Sequence, residues 1–313
     1  MSGPVAGWAL LADGAGGTGI WSQIINFDHY GELLGLVQNS LFAGVLLGLV
    51  GGLAGVFVVM RDLPFAVHGI SELSFAGASA ALLAGVNIVA GSIAGSLIAA
   101  GAIGLLGVRA RDRNAVIGII MPFGLGLGVL FLSLYKGRAA NKFGILTGQI
   151  IAVSAPETAW LLGTSLVVLL ALAIVWRPLT FASVDPEVAA ARGVPVRALS
   201  LAFMLVLGLA VALCVQIVGA LLVLSLLVTP AAAAARITAS PLLLPVLSVV
   251  FALCAMEGGI LLSLGGTVPV SPYVTTIAFA LYLGCRLVAA RRTARRPGAS
   301  APGSPRDAVR SHT

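Results

Sequence analysis

The sequence predicts an all-α fold, a polytopic helical membrane protein of eight or nine transmembrane helices. Composition is the first reason: 59% of the 313 residues are hydrophobic and only 9% are charged, against roughly 25% charged in ordinary soluble domains. Mean hydropathy is +1.08. Segmentation is the second: apolar stretches of the roughly 20 residues needed to cross a hydrocarbon core recur along the chain and are punctuated by arginines. The 39 glycines agree with both, since small residues let transmembrane backbones approach, and Gly44, Gly48, Gly51 and Gly55 repeat such spacings.

Taken in order, residues 1–32 read as a poorly structured, Gly-rich leader that lacks the basic n-region of a cleaved signal peptide. Residues 33–60 form a first span, interrupted only by Gln38 and Asn39 and ended at Arg61. Residues 64–89 form a second and residues 90–108, rich in Gly, Ala and Ser, a third. Arg109, Arg111, Asp112 and Arg113 then mark a short cytoplasmic loop, and Asn114 is a candidate cap for a span over 115–134. Pro122 and the run GLGLG predict that this span is irregular or kinked. Over residues 135–157 two signals conflict: Lys136, Arg138 and Lys142 argue for the cytoplasmic side, whereas the count of crossings puts them outside, and a half-helix at 143–153 would reconcile them.

Residues 158–176 make a span closed by Arg177 and Pro178. The segment 181–198 is too polar to cross. Asp185, Pro186 and Glu187 open a short amphipathic helix there, which Gly193 and Pro195 end, with Arg192 and Arg197 favouring the cytoplasmic side. Residues 198–237 hold two spans only if the turn near Gln216 to Gly219 is tight, and Pro230 with the run AAAAAR closes the second. Spans over 242–264 and 273–289 complete a transmembrane domain of residues 33–289; the Pro-, Ser- and Arg-rich tail 290–313 is expected to be disordered.

The net charge of +7 does not indicate nucleic acid, because seven arginines from Arg286 to Arg310 fall in the last 28 residues and read as a cytoplasmic anchor beside a final span. Cys214, Cys254 and Cys285 are odd in number, widely separated and set in apolar runs, so they read as buried packing residues. His29 and Gln149 carry no site signal.

The stretch RDLPFAVHGISELSFAG, residues 61–77, concentrates the chemistry. Asp62 and Pro64 give a plausible helix start, an acidic cap followed by proline in the first turn. His68 and Glu72, four apart, then share one helical face where only apolar, small or hydroxylic residues otherwise stand. Ionisable groups within a membrane are costly, so an ion path or a paired site is the default expectation. One imidazole and one carboxylate suit Zn²⁺, Mn²⁺ or Fe²⁺, and an incomplete shell completed by water is what transit requires. A structural bridge between helices and a proton-handling role are the alternatives. Glu257, beside Gly258 and Gly259 in an apolar span, is a third candidate for cargo contact; otherwise it would meet a polar neighbour such as Gln216 or Asn87.

Three further stretches, FASVDPEVAAARGVPV at 181–196, VGALLVLSLLVTPAAAAARI at 218–237 and ILTGQIIAVS at 145–154, resemble the permease subunits of the zinc/manganese/iron ABC importer family, the ABC-3 family, in family order. The resemblance runs from about residue 40 to residue 285. Within 61–77, Arg61, Ser71 and Gly77 match the family pattern R-x-x-x-x-x-G-D-x-x-S-H-x-x-x-x-G, while His68 replaces its aspartate and Glu72 its histidine. In the family that aspartate and histidine are associated with the metal path; here the pair is kept with its order reversed. The resemblance implies a type II ABC importer-like permease, not an enzyme, in the bacterial inner membrane with a cytoplasmic C-terminus. It implies no permanently bound cofactor, a divalent metal as cargo, and ATP on a cytoplasmic ABC ATPase subunit. It further implies an extracytoplasmic metal-binding protein, a second permease copy as a homodimer, and membrane lipid as partners. The 181–196 loop would be the coupling helix that docks into the ATPase, with Asp185 and Glu187 at its start, Arg192 near its end and Gly193 as its left-handed exit.

The chain has no G-x-x-x-x-G-K-[ST] loop, so ATP hydrolysis must be borrowed. A proton-coupled secondary transporter of a small cation is the rival function, weakened by the lack of an inverted internal repeat. An intramembrane metalloprotease is a weaker rival, since no H-E-x-x-H occurs and His68 is the one histidine of three within a span.

Overall fold

Ten helices and no strand occur among the residues that the computed structural model describes, which are 37–107, 110–137, 155–220, 222–264 and 269–294. They are α1 (Gln38–Met60), α2 (Pro64–Ala84), α3 (Ile88–Leu106), α4 (Ala110–Leu134), α5 (Ala155–Val184), α6 (Pro186–Ala191), α7 (Val196–Val218), α8 (Val223–Ile237), α9 (Leu243–Ser263) and α10 (Val270–Ala294). Eight of these, all but α6 and α8, are long and apolar enough to cross a membrane. The leader, the tail beyond Ala294, His29, Gln149 and the half-helix expected at 143–153 lie outside the described residues.

Hydrogen bonds fix which helix ends share a side of the bundle. Arg61 Nη2 donates to Ser200 Oγ at 3.0 Å, joining the end of α1 to the first turn of α7, directly after α6. Gln216 Nε2 donates to the Val89 carbonyl at 3.2 Å, joining the end of α7 to the start of α3 on the opposite side. Alternating crossings then put the start of α4 on the α6 side and its end opposite, so Lys136 stands opposite α6 and α5 begins there too. Of the three basic residues over 135–157 only Lys136 is among the described residues.

Local chemistry explains most helix ends. Met60, Arg61 and Asp62 close α1 in a Schellman turn: Leu63 N–H donates to Val58 O at 2.9 Å, Asp62 N–H to Val59 O at 3.4 Å, and Asp62 takes φ +55°. Asp62 is therefore the left-handed exit of α1 and not the cap expected for α2, whose N-cap is Leu63 without a side-chain bond, followed by Pro64 in the first turn. Gly85, φ +69°, ends α2 before residue 89, and Asn87 Oδ1 accepts from the Ala90 N–H to cap α3. Asp185 caps α6 as expected, its Oδ1 accepting from Glu187 and Val188 N–H at 3.1 and 3.0 Å, and Gly193, φ +83°, provides the exit.

Proline misleads at two places. The span expected to stop at Pro178 continues through it to Val184, and Pro230 lies inside α8 instead of closing it. Pro122 lies within α4. A membrane bundle tolerates proline because side chains and neighbouring helices satisfy the freed backbone. Asn114 is interior to α4 and exposed, since the helix already starts at Ala110. Residues 198–237 form a full-length span, α7, and a shorter apolar helix of 15 residues, α8, which runs back along α1 toward the α6 side. The non-helical backbone at Gly219 is tolerated where protein covers it: Ser271 Oγ donates to Val218 O, and Leu226, Leu227, Ala233 and Ala234 of α8 are buried. Cys214 and Cys285 are buried as expected, but Cys254 is exposed on the apolar surface of α9.

Packing centres on glycine contacts and one aromatic cluster. Phe57 of α1 meets Trp176 of α5 and Phe203 of α7 edge to face, at 4.7 and 5.7 Å between centroids. α2 packs between α3 and α4. A Cβ on Gly77 would strike the Gly91 carbonyl oxygen and come within 3.1 Å of Gly95 Cα, and one on Gly91 would strike the Gly77 carbonyl oxygen. Ser74 and Ser92 join the same seam by a hydroxyl pair at 2.8 Å. Gly77→Val is expected to cost about 1–3 kcal/mol by overpacking, read as a lower unfolding temperature in detergent. Gly126→Val, at a position with no neighbour within 4 Å of a built Cβ, should leave that temperature unchanged.

Candidate functional site

α2 begins at Pro64 on the α6 side, so His68 lies one turn into the bundle and Glu72 two. Their helical spacing brings His68 Nε2 to 3.8 Å from Glu72 Oε1, within ion-pair reach but too long for a hydrogen bond. The two side chains differ in access: His68 is 37% exposed and Glu72 10%. Glu72 is held against α4, where a Cβ on Gly124 would come within 3.0 Å of the Glu72 carbonyl carbon and 3.2 Å of its Cβ. A turn later Gly128 makes room for the ring of Phe75 in the same way. Gly124 and Gly128 of GLGLG thus admit α2.

Glu257 occupies another seam. It lies in α9 against α1, where a Cβ on Gly44 would strike Glu257 Oε1 and Ile260 Cδ1. Oε1 is buried and has no hydrogen-bond partner among the described residues. Neither alternative neighbour reaches it, because Gln216 is bonded to Val89 O and Asn87 caps α3. At a rise of 1.5 Å per residue, Glu72 is roughly 12 Å deep from the α6 side and Glu257 roughly 21 Å. The structure therefore brings His68 and Glu72 together and leaves Glu257 apart, by seam and by depth. Among the described residues no three His, Cys, Asp or Glu side chains are grouped to hold a metal ion.

Sequence reading overlooked the two glycines opposite the carboxylates, Gly44 and Gly124. Their signal was present in the spacing of α1 and in GLGLG, but which glycine faces which acid depends on helix pairing. An apolar groove of about 820 Å³ between α1, α5 and α9, lined by residues such as Leu53, Leu172, Trp176 and Val249, offers no acid or imidazole and is no cation site. Asp185, half-buried, and the exposed Glu187, Arg192 and Gly193 gather at α6, on the side where Arg61, Arg113, Arg177, Arg197 and Arg236 also lie.

Comparison with known proteins gives consistent matches over most of the chain. A profile of the ABC 3 transport family matches residues 34–289. The manganese transport system membrane protein MntC of Halalkalibacterium halodurans is 29% identical over 266 residues, covering 85% of this chain and 89% of the relative. The high-affinity zinc uptake system membrane protein ZnuB of Haemophilus influenzae is 26% identical over 227 residues, covering 72% and 86%. A chain of the solved structure of PsaBC from Streptococcus pneumoniae in complex with Fab matches with a TM-score of 0.73 at 26% identity, over 82% of this chain and 94% of that one.

An orphaned buried carboxyl oxygen costs about 1–3 kcal/mol. Glu257→Leu, which removes it at similar volume, is therefore expected to raise the unfolding temperature in detergent. A lower temperature would mean that the carboxyl has a stabilising partner.

Proposed function

Since this chain belongs to the ABC 3 transport family, as a multi-span membrane transport protein and not an enzyme, we propose that it forms the membrane pathway of an ATP-driven importer for Mn²⁺ or Zn²⁺. The observation that carries this reading is the match of nearly the whole transmembrane region to proteins named for manganese and zinc transport. A cytoplasmic ABC ATPase supplies the energy, an extracytoplasmic binding protein delivers the cation, and a second copy of the permease completes the pathway.

His68 and Glu72 are the transit site in this reading. A cation exchanges water for one imidazole nitrogen and one carboxylate oxygen, a shell loose enough to be left again. The exposed imidazole meets the ion first and the covered carboxylate holds it. Glu257, nearer the side opposite α6, is a separate stop for the ion, its free oxygen being consistent with that use.

Orientation follows from charge. Arg61, Arg113, Arg177, Arg192, Arg197, Arg236, Arg291 and Arg292 lie at the α6 side and Lys136 opposite, so the positive-inside rule makes the α6 side, and with it the end of α10, cytoplasmic. α6 is then the coupling helix. Asp185 holds its first turn, and the left-handed Gly193 lets the chain reverse into α7, which packs on α3 and α5. Movement of α6 by the ATPase would be passed to those helices.

The test is co-purification with the ATPase and binding protein, followed by Mn²⁺ and Zn²⁺ uptake into liposomes. Uptake driven by ATP is the expected result; a chain that purifies alone and moves cations with a proton gradient would overturn it. In the reconstituted assembly Glu72→Gln should reduce uptake by more than about tenfold, the scale on which metal sites respond to a lost group, and normal uptake would remove the pair from the pathway. Gly193→Val, forced into a left-handed conformation at roughly 1–2 kcal/mol, should lower uptake per ATP hydrolysed. Unchanged coupling would leave α6 a plain connector.

A further inference from the structure

Arg61 and Arg113 lie at the same end of two helices packed in register, since a Cβ on Gly69 of α2 would meet Ile117 and Met121 of α4 and one on Gly124 would meet Glu72. Both have hydrogen-bonding capacity unspent among the described residues. Arg61 follows the last turn of α1, and its guanidinium passes over the Phe203 ring at 5.9 Å and gives one bond, Nη2 to Ser200 Oγ. Its Nη1 is buried without a partner. Arg113, in the first turn of α4, is held over the end of α3, where a Cβ on Gly107 would come within 2.8 Å of its own Cβ. Its Nε is also buried, without a partner among the described residues. Asp62 and Asp112, the acids nearest in sequence, are exposed and pair with neither arginine.

Two like charges covered together are costly, and so are their unused donors. Burial, and then the charge of Arg113, draw the Arg61 guanidinium below its usual pKa. The arrangement is stable only if something negative accompanies it. A guanidinium is a planar fork suited to phosphate oxygens, and a tetrahedral oxyanion has enough of them to accept from both residues at once. A single exposed carboxylate would not reach two covered donors on different helices.

We propose that Arg61 and Arg113 form a binding site for a phosphate-type oxyanion at the α6 side of the bundle. The site lies between helix ends, at the level where lipid phosphates sit, so the group is carried either by an anionic phospholipid or by soluble phosphate. Bound there, it ties the α1–α2 turn to α4 and, through Ser200, to the start of α7.

The test uses the full chain in detergent micelles. Phosphatidylglycerol and phosphatidylcholine are titrated and followed by native mass spectrometry, and inorganic phosphate is titrated by calorimetry. The native chain should bind phosphatidylglycerol over phosphatidylcholine, which names the lipid as source, or bind inorganic phosphate, which names the soluble ion. Arg113→Gln should weaken that binding about tenfold, as expected for a lost charged hydrogen bond. Arg113 donates no bond to the described residues, so this variant keeps the fold. Arg61→Lys, which keeps the charge but loses the fork, should weaken it as well, while Arg177→Gln, on the same side but outside the pair, should not. Binding of neither probe, or equal affinity in Arg113→Gln and Arg177→Gln, would overturn the proposal.

Discussion

Backbone-to-backbone contact along α2 sets the geometry on which the candidate site depends. Gly77 against Gly91 and Gly95 presses α2 onto α3, and Gly124 and Gly128 let α4 close over Glu72 and Phe75 on another face. In a hydrocarbon solvent no hydrophobic force drives helices together, so van der Waals contact and interhelical hydrogen bonds must do it. Glycine permits the closest approach, and the serine pair Ser74 and Ser92 adds a bond in the same seam. The consequence reaches the chemistry: a carboxylate that would be lipid-exposed on a lone helix is covered by α4, while His68, one turn closer to the membrane surface, stays accessible.

A second constraint, that every polar group inside the bilayer needs a partner, sorts the remaining polar residues. Ser248 gives its proton to Gly52 O, Gln216 bonds Val89 O, and Ser271 bonds Val218 O, each joining two helices. Against that background the unpaired atoms stand out. Among the described residues the hydroxyls of Ser79 and Ser165 are covered and unmatched, and so are three atoms of ionisable groups, Glu257 Oε1 in the α1–α9 seam and Arg61 Nη1 and Arg113 Nε at the end that carries most of the positive charge.

Much of the architecture was legible in the residues. Hydropathy marked the spans because the hydrocarbon core demands about twenty apolar residues in any helix that crosses it. The short helix at 186–191 was legible from Asp185, Pro186 and Gly193, whose side-chain oxygen, fixed φ and tolerance of positive φ act locally. Failures fell where local rules meet a tertiary setting. Pro178 and Pro230 break isolated helices but not packed ones, and Asp62 served the exit of α1 because the six-residue Schellman bond to Val58 claimed it first.

By itself the sequence determined the class of the protein, the register of His68 and Glu72 on one helical face, and the polarity of the charges, because each depends on composition or on neighbours within a few residues. It did not determine that Glu257 lies in another seam and at another depth, that α8 is shorter than the other spans, or that Arg61 and Arg113 end at the same side of the bundle. Those depend on which helices pack together, a choice made by close glycine contacts between segments distant in the chain, and only the tertiary structure decides it.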